Sequence, residues 1–403
     1  MAFITYEESL KNLYQSFTAP KMTQKVFIDT ALDRILAEDI VADHNSPAYP
    51  TSAMDGYAIK FDDQSMGRLQ ILGDLPAGTY SDEELMGGYA IKTFTGSLMP
   101  KGSDTLIPIE NVEVENNEIV IKEEVPKGFS VRPVGENYRE GEVLLKKGSK
   151  IGFAEIGVLA SLNIAQISIY QKPSVAIVAT GSEILDVGEK QTNPSQIRSS
   201  NQFTLEALAR KAGATPTRTP LTKDNQENIR QSIRQALQTH DIVVTTGGVS
   251  VGDYDFVKGI LQEMEPEYIT EGVILKPGQH IKIVKTGTKY IVALPGFPYS
   301  STVTFILYVI PLIKMMTGQK PTLPYIRATL RETYRKKSQK TEFVACNLTY
   351  EDGVYYCDFS DKKSGTSAIL TNMLGNTALM EVPRQSGDLE AGTQVNVIDL
   401  KAL

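Results

Sequence analysis

The residues best suited to chemistry lie in one stretch, DIVVTTGGVSVGDYDF, which runs from Asp241 to Phe256. Its apolar, β-branched residues 242–244 are typical of a buried parallel strand. Gly247 and Gly248 can adopt positive φ and let the chain pass close to a ligand, and a helical pattern begins at Phe256. A strand, a glycine turn and a helix start together predict an anion site, because free backbone N–H groups and the helix dipole point into the turn.

Two carboxylates, Asp253 and Asp255, follow Ser250 in the same turn. They would repel a bound phosphate unless a cation lay between them, so the turn indicates phosphate together with Mg²⁺. The alternative is a tight turn whose Asp residues cap a helix. The motif alone does not decide between the two, since a short glycine motif is a weak signal.

Composition sets outer bounds on the function. A length of 403 residues predicts about two to four domains. The net charge of −7 argues against a broad nucleic-acid or membrane footprint. Cys346 and Cys357 are the only cysteines, which fits a reducing compartment, and the first residues do not resemble a signal peptide. We therefore predict a cytoplasmic protein that binds neither nucleic acid nor membrane, and interpret the apolar run 303–316 as a buried helix.

The N-terminal half alternates between helical and β patterns. Apolar spacing predicts an amphipathic helix that starts at Tyr6 and a second helix from Thr30 to Asp39. Asp55 then precedes a short strand in an Asp-Gly turn, and such pairs usually only form the turn. Residues 69–134 predict an all-β region with a turn at Thr95, and 153–162 predict a short helix.

From residue 172 strands and helices alternate, which predicts a parallel sheet covered on both faces. Ligands of such sheets bind at the carboxyl ends of the strands. Three of these ends carry candidate groups: Glu183, the Asp253–Asp255 turn, and the turn from Pro295 to Pro298. One carboxylate at a turn is common, but three loops on one rim favour a functional site. From residue 321 the β pattern returns, long enough for a small barrel or sandwich.

Several motifs together resemble the molybdopterin molybdenumtransferase family, to which the gephyrin E domain also belongs. They are SAMDGYA, TGSLMPKGSDT, ATGSE, residues 196–201, TTGGVSVGDYDFVK and LKPGQHIKI…ALPGFPYS, in the family's order and across nearly the whole chain. The resemblance implies a multidomain α/β plus β fold. Its parts would be a discontinuous helical segment (1–44 with 139–170), an inserted β domain (45–138), a molybdopterin-binding α/β domain (171–320) and a C-terminal β barrel (321–403).

The resemblance also implies the activity, which is insertion of molybdate into adenylylated molybdopterin with Mg²⁺ as cofactor and release of AMP. It implies a homodimer whose site lies between subunits, and allows a molybdopterin adenylyltransferase as the partner that hands over the pterin. Asp55, Glu183 and Asp255 would be catalytic, and Glu183, Asp253 and Asp255 would bind the metal. The substrate-binding residues would be Thr95, Ser199, Asn201, Asp224, Gly247, Gly248, Ser250, Lys276, Pro295, Pro298 and Ser367.

Three departures from the family pattern concern charge. Gln279 stands where the family usually has a second lysine, Ala345 where an arginine is expected, and Asn137 where an acid is expected. Fewer fixed charges should weaken oxyanion binding, so a Gln279→Lys change is expected to raise molybdate affinity by roughly three- to thirty-fold. The sequence offers three nearby cations as compensation: His280, Lys282 and Lys285.

Two other functions stay open at this point. A non-catalytic scaffold could keep the fold, but it would not need carboxylates converging on a glycine turn. A molybdopterin adenylyltransferase would have the same α/β domain, but the added domains on both sides favour metal insertion.

Overall fold

The structure is a computed structural model that describes residues 3–18, 22–222, 225–248, 256–363 and 366–403. The predicted first helix is confirmed as α1 (Tyr6–Ser16). Thr5 caps it, because its hydroxyl accepts a hydrogen bond from the Glu8 backbone N–H at 3.1 Å. Tyr6 and Leu13 on its buried face pack into the core of the α/β region.

The predicted second helix, Thr30 to Asp39, is wrong. A 3₁₀ turn, Ile28–Thr30, ends where the helix was predicted to begin, and residues 31–39 form an irregular segment before the next strand. The backbone N–H of Asp33 donates to Ile151 at 2.8 Å, and that of Leu36 donates to Ser149 at 2.9 Å. Because these N–H groups donate to a distant segment, they cannot form the hydrogen bonds of a helix. The apolar residues of this stretch pack into a local core instead.

The inserted region is all-β, as predicted. Its core contains Tyr57, Leu69, Ile107 and Ile119. Six strands form one sheet in the order β7-β4-β6-β5-β9-β8. The strands up to the return of the chain are β1 (Thr23–Phe27), β2 (Ile40–Val41), β3 (Thr51–Ser52), β4 (Gly56–Ile59), β5 (Arg68–Leu75), β6 (Tyr89–Thr93), β7 (Thr105–Pro108), β8 (Val112–Glu115), β9 (Glu118–Ile121) and β10 (Val131–Arg132).

The returning chain completes the first segment. It contributes β11 (Val143–Leu145), the predicted short helix as α2 (Phe153–Ser161), and β12 (Gln166–Tyr170). β12 pairs antiparallel with β1, and β11 with β2, so residues from both sides of the insertion form one unit. The domain boundaries given above stay a prediction.

The α/β region is built on a six-stranded sheet in the order β16-β13-β17-β21-β20-β18. The first four strands are parallel, as predicted for the sheet, and β20 pairs antiparallel with both β21 and β18. The strands β16, β18 and β20 were not predicted. The elements are β13 (Ser174–Ala179), β14 (Ile184–Leu185), β15 (Ile197–Arg198), α3 (Asn201–Lys211), β16 (Thr215–Arg218), α4 (Gln226–Thr239), β17 (Ile242–Thr246), α5 (Phe256–Glu263), β18 (Glu267–Glu271), β19 (Leu275–Lys276), β20 (Lys282–Thr286) and β21 (Lys289–Leu294).

Both faces of this sheet are covered. Val175 and Ile177 of β13 face a core that includes residues of α1 and α3, whereas Ala176 and Val178 face α4 and α5. Successive side chains of a strand point to opposite faces, so an apolar strand without alternation must be buried on both sides. The prediction that these apolar runs are parallel strands buried on both faces is confirmed.

A long apolar helix also covers the face of the sheet on which α1 and α3 lie. It comprises α6 (Pro298–Thr304), a π-helical turn (Phe305–Val309) and α7 (Ile310–Met316). Among the described residues it is the one helix long and apolar enough to cross a membrane by length and composition. Its residues are nearly all buried in the core of the α/β region, as predicted for this run.

The C-terminal strands form a closed barrel, which decides between the predicted barrel and sandwich. They run in the order β23-β24-β22-β26-β25, and β25 pairs back onto β23. β19 joins the α/β region to the barrel, because Lys276 pairs with Glu342 in a parallel ladder. The strands are β22 (Tyr325–Leu330), β23 (Thr341–Glu351), β24 (Val354–Asp358), β25 (Thr377–Val382) and β26 (Gln394–Asp399).

Candidate active site

Three loops meet at the carboxyl ends of neighbouring parallel strands, and we call them the strand-end site: residues 180–183, 247–248 and 295–298. The Thr180 backbone N–H donates to the Thr246 carbonyl at 3.3 Å. The Gly247 N–H donates to the Leu294 carbonyl at 3.2 Å. The structure thus brings together the loops that follow β13, β17 and β21.

The glycine turn requires its glycines. Gly247 and Gly248 have φ of 93° and 67°, in the region that favours glycine. A Cβ on Gly248 would lie 2.9 Å from Cγ2 of Val257, and one on Gly247 would lie 3.2 Å from the Thr180 hydroxyl oxygen. The predicted positive φ is confirmed, and the turn leaves no space for side chains on that side.

Glu183 follows β13 and is exposed at this rim. Its backbone carbonyl accepts a hydrogen bond from the Ile197 N–H at 2.9 Å, which fixes its loop against β15. The residues Asp224, Ser250, Asp253 and Asp255 lie outside the described part of the chain, so their predicted roles stay predictions. Within the described ranges, no group of three or more His, Cys, Asp or Glu residues is placed to hold a metal ion.

Asn201, the first residue of helix α3, and Ser199, which lies between β15 and α3, support the same rim. The Asn201 Nδ2 atom donates to the Gly296 carbonyl at 2.8 Å, which ties the helix to the turn after β21. The Asn201 Oδ1 atom is buried and has no hydrogen-bond partner among the described residues. Ser199 is buried, and its hydroxyl donates to Oε1 of Gln202 at 3.4 Å.

Asp55 and Thr95 form a pair on the inserted β region. The backbone N–H and the hydroxyl of Thr95 both donate to Oδ1 of Asp55, at 2.8 and 2.9 Å. These two hydrogen bonds, the backbone one first, lower the pKa of the Asp55 carboxyl below its usual range. The side chain is exposed, so it is an ionised carboxylate available to a ligand or to another subunit.

A second concavity, which we call the basic cavity, has a volume of about 480 Å³. It lies between the loop after β19, the start of α6 and the barrel. Five lysines and one carboxylate line it. The residues used below are Lys276, Gln279, Tyr299, Lys340, Glu342 and Ser367.

The carboxylate of Glu342 is the fixed point of this cavity, with 1% of its surface exposed. It accepts hydrogen bonds from Lys276 Nζ at 3.1 Å, the Tyr334 hydroxyl at 2.6 Å and the Ser338 hydroxyl at 2.7 Å. Burial alone would raise the pKa of Glu342, but the three donors outweigh it and lower the pKa. Glu342 is therefore ionised and neutralises Lys276.

Gln279 joins the loop to the barrel. Its Oε1 atom accepts a hydrogen bond from Lys340 Nζ, and its Nε2 atom lies 2.7 Å from His280 Nε2. Burial, followed by the charges of Lys282 and Lys340, lowers the pKa of His280. Lys282 is nearly buried and pairs with Glu271 at 3.8 Å.

The strand-end site and the basic cavity are joined by one short segment. The turn after β21 leads directly into α6, where the Tyr299 backbone N–H donates to the Ser367 carbonyl at 3.1 Å. The Tyr299 hydroxyl donates to the Phe343 carbonyl at 3.0 Å and accepts from the Ala345 N–H at 2.8 Å. Residues 295–299 therefore touch both sites.

The whole chain is similar to named enzymes. It is 32% identical to the molybdopterin molybdenumtransferase of Staphylococcus aureus (strain Mu50 / ATCC 700699), over 98% of this chain and 95% of that protein. It is 30% identical to the same enzyme of Staphylococcus epidermidis (strain ATCC 12228 / FDA PCI 1200), with the same coverage. The chain belongs to the molybdopterin molybdenumtransferase family.

Family models and a solved structure agree with this membership. Residues 4–163 match the MoeA N-terminal region (domain I and II), 176–315 a probable molybdopterin binding domain, and 327–400 the MoeA C-terminal region (domain IV). The crystal structure of the molybdopterin biosynthesis moeA protein from Pyrococcus horikoshii OT3 superposes with a TM-score of 0.84 at 28% identity, covering 98% of this chain and 99% of that one. The predicted fold class of this molybdopterin molybdenumtransferase family member is confirmed.

Sequence reasoning missed three residues of the basic cavity in this family member: Tyr299, Lys340 and Glu342. Nothing in the sequence context of Glu342 predicts a buried carboxylate. Lys340 ends a basic run, RKKSQK at 335–340, that directly precedes β23. That run was the available signal, since a cluster of cations before a strand marks a charged rim.

Proposed function

We propose that this protein inserts molybdate into adenylylated molybdopterin and releases AMP, yielding molybdenum cofactor. The observation that carries the proposal is that a glycine turn at parallel strand ends and a cavity lined by lysines share the segment 295–299. The turn suits the phosphate end of a pterin substrate, and the cavity suits a small oxyanion. The reaction needs both ligands side by side.

The strand-end site is the proposed pterin subsite. The backbone of Gly247 and Gly248 can approach phosphate oxygens without obstruction from a side chain. The buried Asn201 Oδ1 atom, which has no partner in the described part of the chain, supports a ligand here, because an unsatisfied buried acceptor costs about 1–3 kcal/mol that a ligand donor would recover. Pterins carry N–H donors that fit such an acceptor.

The basic cavity is the proposed molybdate subsite. Molybdate is a tetrahedral dianion, and ammonium groups together with the Ser367 hydroxyl are suitable donors to its oxygens. Five lysines against one carboxylate leave the cavity with an excess of positive charge. Lys276, one of the five, was predicted as a substrate-binding residue.

Mg²⁺ is proposed as the cofactor of the strand-end site. The donor set fits a hard cation, since Glu183 offers an exposed carboxylate and Asp253 and Asp255 would add two more. Bound there, the ion would polarise the phosphate that is cleaved. Glu183 and the two aspartates would hold it, and the Thr180–Glu183 loop would fix the orientation of Glu183.

Asp55 is proposed to act on the substrate of a partner subunit, which makes the protein a homodimer. Its exposed carboxylate is held by Thr95, and its described hydrogen bonds lie within the inserted region. A cytoplasmic location and delivery of the pterin by a molybdopterin adenylyltransferase complete the proposal.

The direct test follows AMP. The purified protein is incubated with adenylylated molybdopterin, molybdate and Mg²⁺, and AMP is measured over time. We expect AMP release that depends on molybdate and yields one molybdenum-bound pterin for each AMP. AMP release that does not depend on the molybdate concentration, or the absence of AMP release, would refute the function.

The composite site has its own test. Asp55→Asn and Asp255→Asn homodimers should each be inactive. Mixing them in equal amounts under subunit exchange should recover roughly a quarter of wild-type activity, because about half of the dimers are then mixed and each mixed dimer has one intact site. Absence of recovery, with exchange verified by light scattering of tagged subunits, would place Asp55 outside the composite site. A monomer active at all concentrations would refute the dimer.

A further inference from the structure

The charges of the basic cavity are not equivalent. Lys276 was predicted to bind substrate, but its Nζ atom is paired at 3.1 Å with Glu342, which is buried. An ammonium already neutralised by a fixed carboxylate attracts a second anion weakly. The charge that Gln279 fails to supply must therefore come from another side chain.

The three compensating cations suggested by the sequence are poorly placed. Lys282 is paired with Glu271, and Lys285 Nζ donates to the Ser16 carbonyl at 2.6 Å, on helix α1. His280 has a lowered pKa and is therefore mostly neutral near pH 7. None of them lines the cavity.

Lys340 is placed to supply the missing positive charge to the basic cavity. It lies one residue before β23, lines the cavity and donates to Oε1 of Gln279. Within the described ranges, no salt bridge joins Lys340 to a carboxylate, unlike Lys276. The amide of Gln279 neutralises no charge, so the full positive charge of Lys340 stays available.

We propose that Lys340 is the main oxyanion-binding cation of the basic cavity, and that Gln279 is a positioning residue that holds its ammonium there. The proposal rests on the proposed function and adds a residue from the barrel to its oxyanion subsite. It applies to tetrahedral dianions as a class, with molybdate and tungstate as the probes and sulfate and phosphate as competitors.

The contact between Lys340 and Gln279 predicts how exchanging the two residues affects oxyanion binding. Because Lys340 Nζ touches the end of the Gln279 side chain, a lysine at 279 would carry its ammonium to nearly the same point. Exchanging the two residues should therefore preserve the charge at this point. Gln279→Lys alone would set two ammonium groups side by side, so its gain in molybdate affinity should fall below the three-fold minimum expected from the sequence.

Calorimetric titration of molybdate and tungstate into the full chain, without pterin, tests the proposal. The variants are Lys340→Gln, Lys340→Arg, the exchange Lys340→Gln with Gln279→Lys, and Lys320→Gln as an exposed charge control. We expect Lys340→Gln to lose about ten-fold or more in affinity. Lys340→Arg, the exchange variant and Lys320→Gln should stay within about three-fold of wild type.

Thermal unfolding of each variant controls for folding. Unchanged affinity in a folded Lys340→Gln variant would overturn the proposal. So would an exchange variant that binds no better than Lys340→Gln, because the position of the charge would then not matter. Failure of excess sulfate and phosphate to compete with molybdate would overturn the assignment of the cavity to tetrahedral dianions as a class.

Failure of this inference and failure of the function are distinguishable. If AMP is released with the same dependence on molybdate in wild type and Lys340→Gln, the function stands and the role of Lys340 is refuted. If molybdate binding follows Lys340 but no AMP is released, the oxyanion site stands and the function is refuted.

Discussion

The strand-end site and the basic cavity are built in opposite ways. The strand-end site is shaped by backbone: two glycines at positive φ, carbonyls and N–H groups at neighbouring strand ends. The basic cavity is shaped by long side chains from two regions, arranged around the buried carboxylate of Glu342. The first excludes side chains, and the second depends on them.

This difference predicts different sensitivities. A backbone site should fail when a side chain is added, and it should respond weakly to the loss of a lysine. A site of paired charges should fail when one charge is removed or when salt screens it, since the Debye length is only about 8 Å at physiological ionic strength. The variants below separate these two behaviours.

The largest effect is expected for Asp255→Asn at the strand-end site. The fold should remain intact, and turnover should fall by about a hundredfold or more, because a ligand of the proposed Mg²⁺ is lost. The molybdate concentration that gives half-maximal rate should stay unchanged, since the basic cavity is not touched. Near-normal AMP release would contradict the assignment of Asp255.

The second-largest effect is expected when a side chain is added at the glycine turn. Gly248→Ala should destabilise the protein by about 2 kcal/mol or more, because φ is positive and the added Cβ would lie 2.9 Å from Val257. Gly287→Ala is the matched control: its φ is 61°, but nothing lies within 4 Å of the new Cβ. Denaturant unfolding should show the smaller loss for Gly287→Ala, and an equal loss would mean that crowding at the turn is unimportant.

Glu342→Gln tests the anchor of the basic cavity. The folded state lowers the pKa of Glu342, so its contribution to stability is present above the ordinary pKa of about 4.3 and is lost as pH falls through the lower, folded value. We expect a loss of about 1.5–3 kcal/mol at pH 7 that shrinks below pH 4. Urea unfolding at both pH values measures it, and a pH-independent difference would contradict the ionised pair.

The smallest effect is expected for Thr95→Val. It removes the hydroxyl donor to Asp55 but keeps the backbone N–H, so the pKa of Asp55 should rise part of the way back to its usual range. Thr95→Ser should leave it low. NMR titration of the carboxyl measures both variants, and equal pKa values in the two would show that the hydroxyl contributes nothing.

The sequence predicted what depends on local pattern. The strands β13, β17 and β21 and the glycine turn follow from apolar runs and glycine, and the structure has them within a residue or two of the prediction. The prediction of a helix from Thr30 to Asp39 was wrong because the periodicity of apolar residues carries no information about the backbone partners at 149–151. β16, β18 and β20 were missed because their sequences, TPTR, EYITE and KIVKT, contain neither an apolar run nor a regular alternation of polar and apolar residues.

The candidate site divides in the same way. Glu183 and the turn at Pro295 were found as strand ends, which is a local signal. Lys340 meets Gln279 across 61 residues of chain, and Glu342 meets Lys276 across 66. Such contacts depend on how the barrel docks on the loop after β19, and no spacing in the sequence encodes that.

The most direct test of the two-site account is an anomalous scattering map from crystals of this protein soaked in tungstate. We predict one dominant tungsten peak in the basic cavity, within hydrogen-bond reach of Lys340 and close to Ser367, with none at the Gly247–Gly248 turn. A dominant peak at the glycine turn, or an empty cavity at saturating tungstate, would contradict the account.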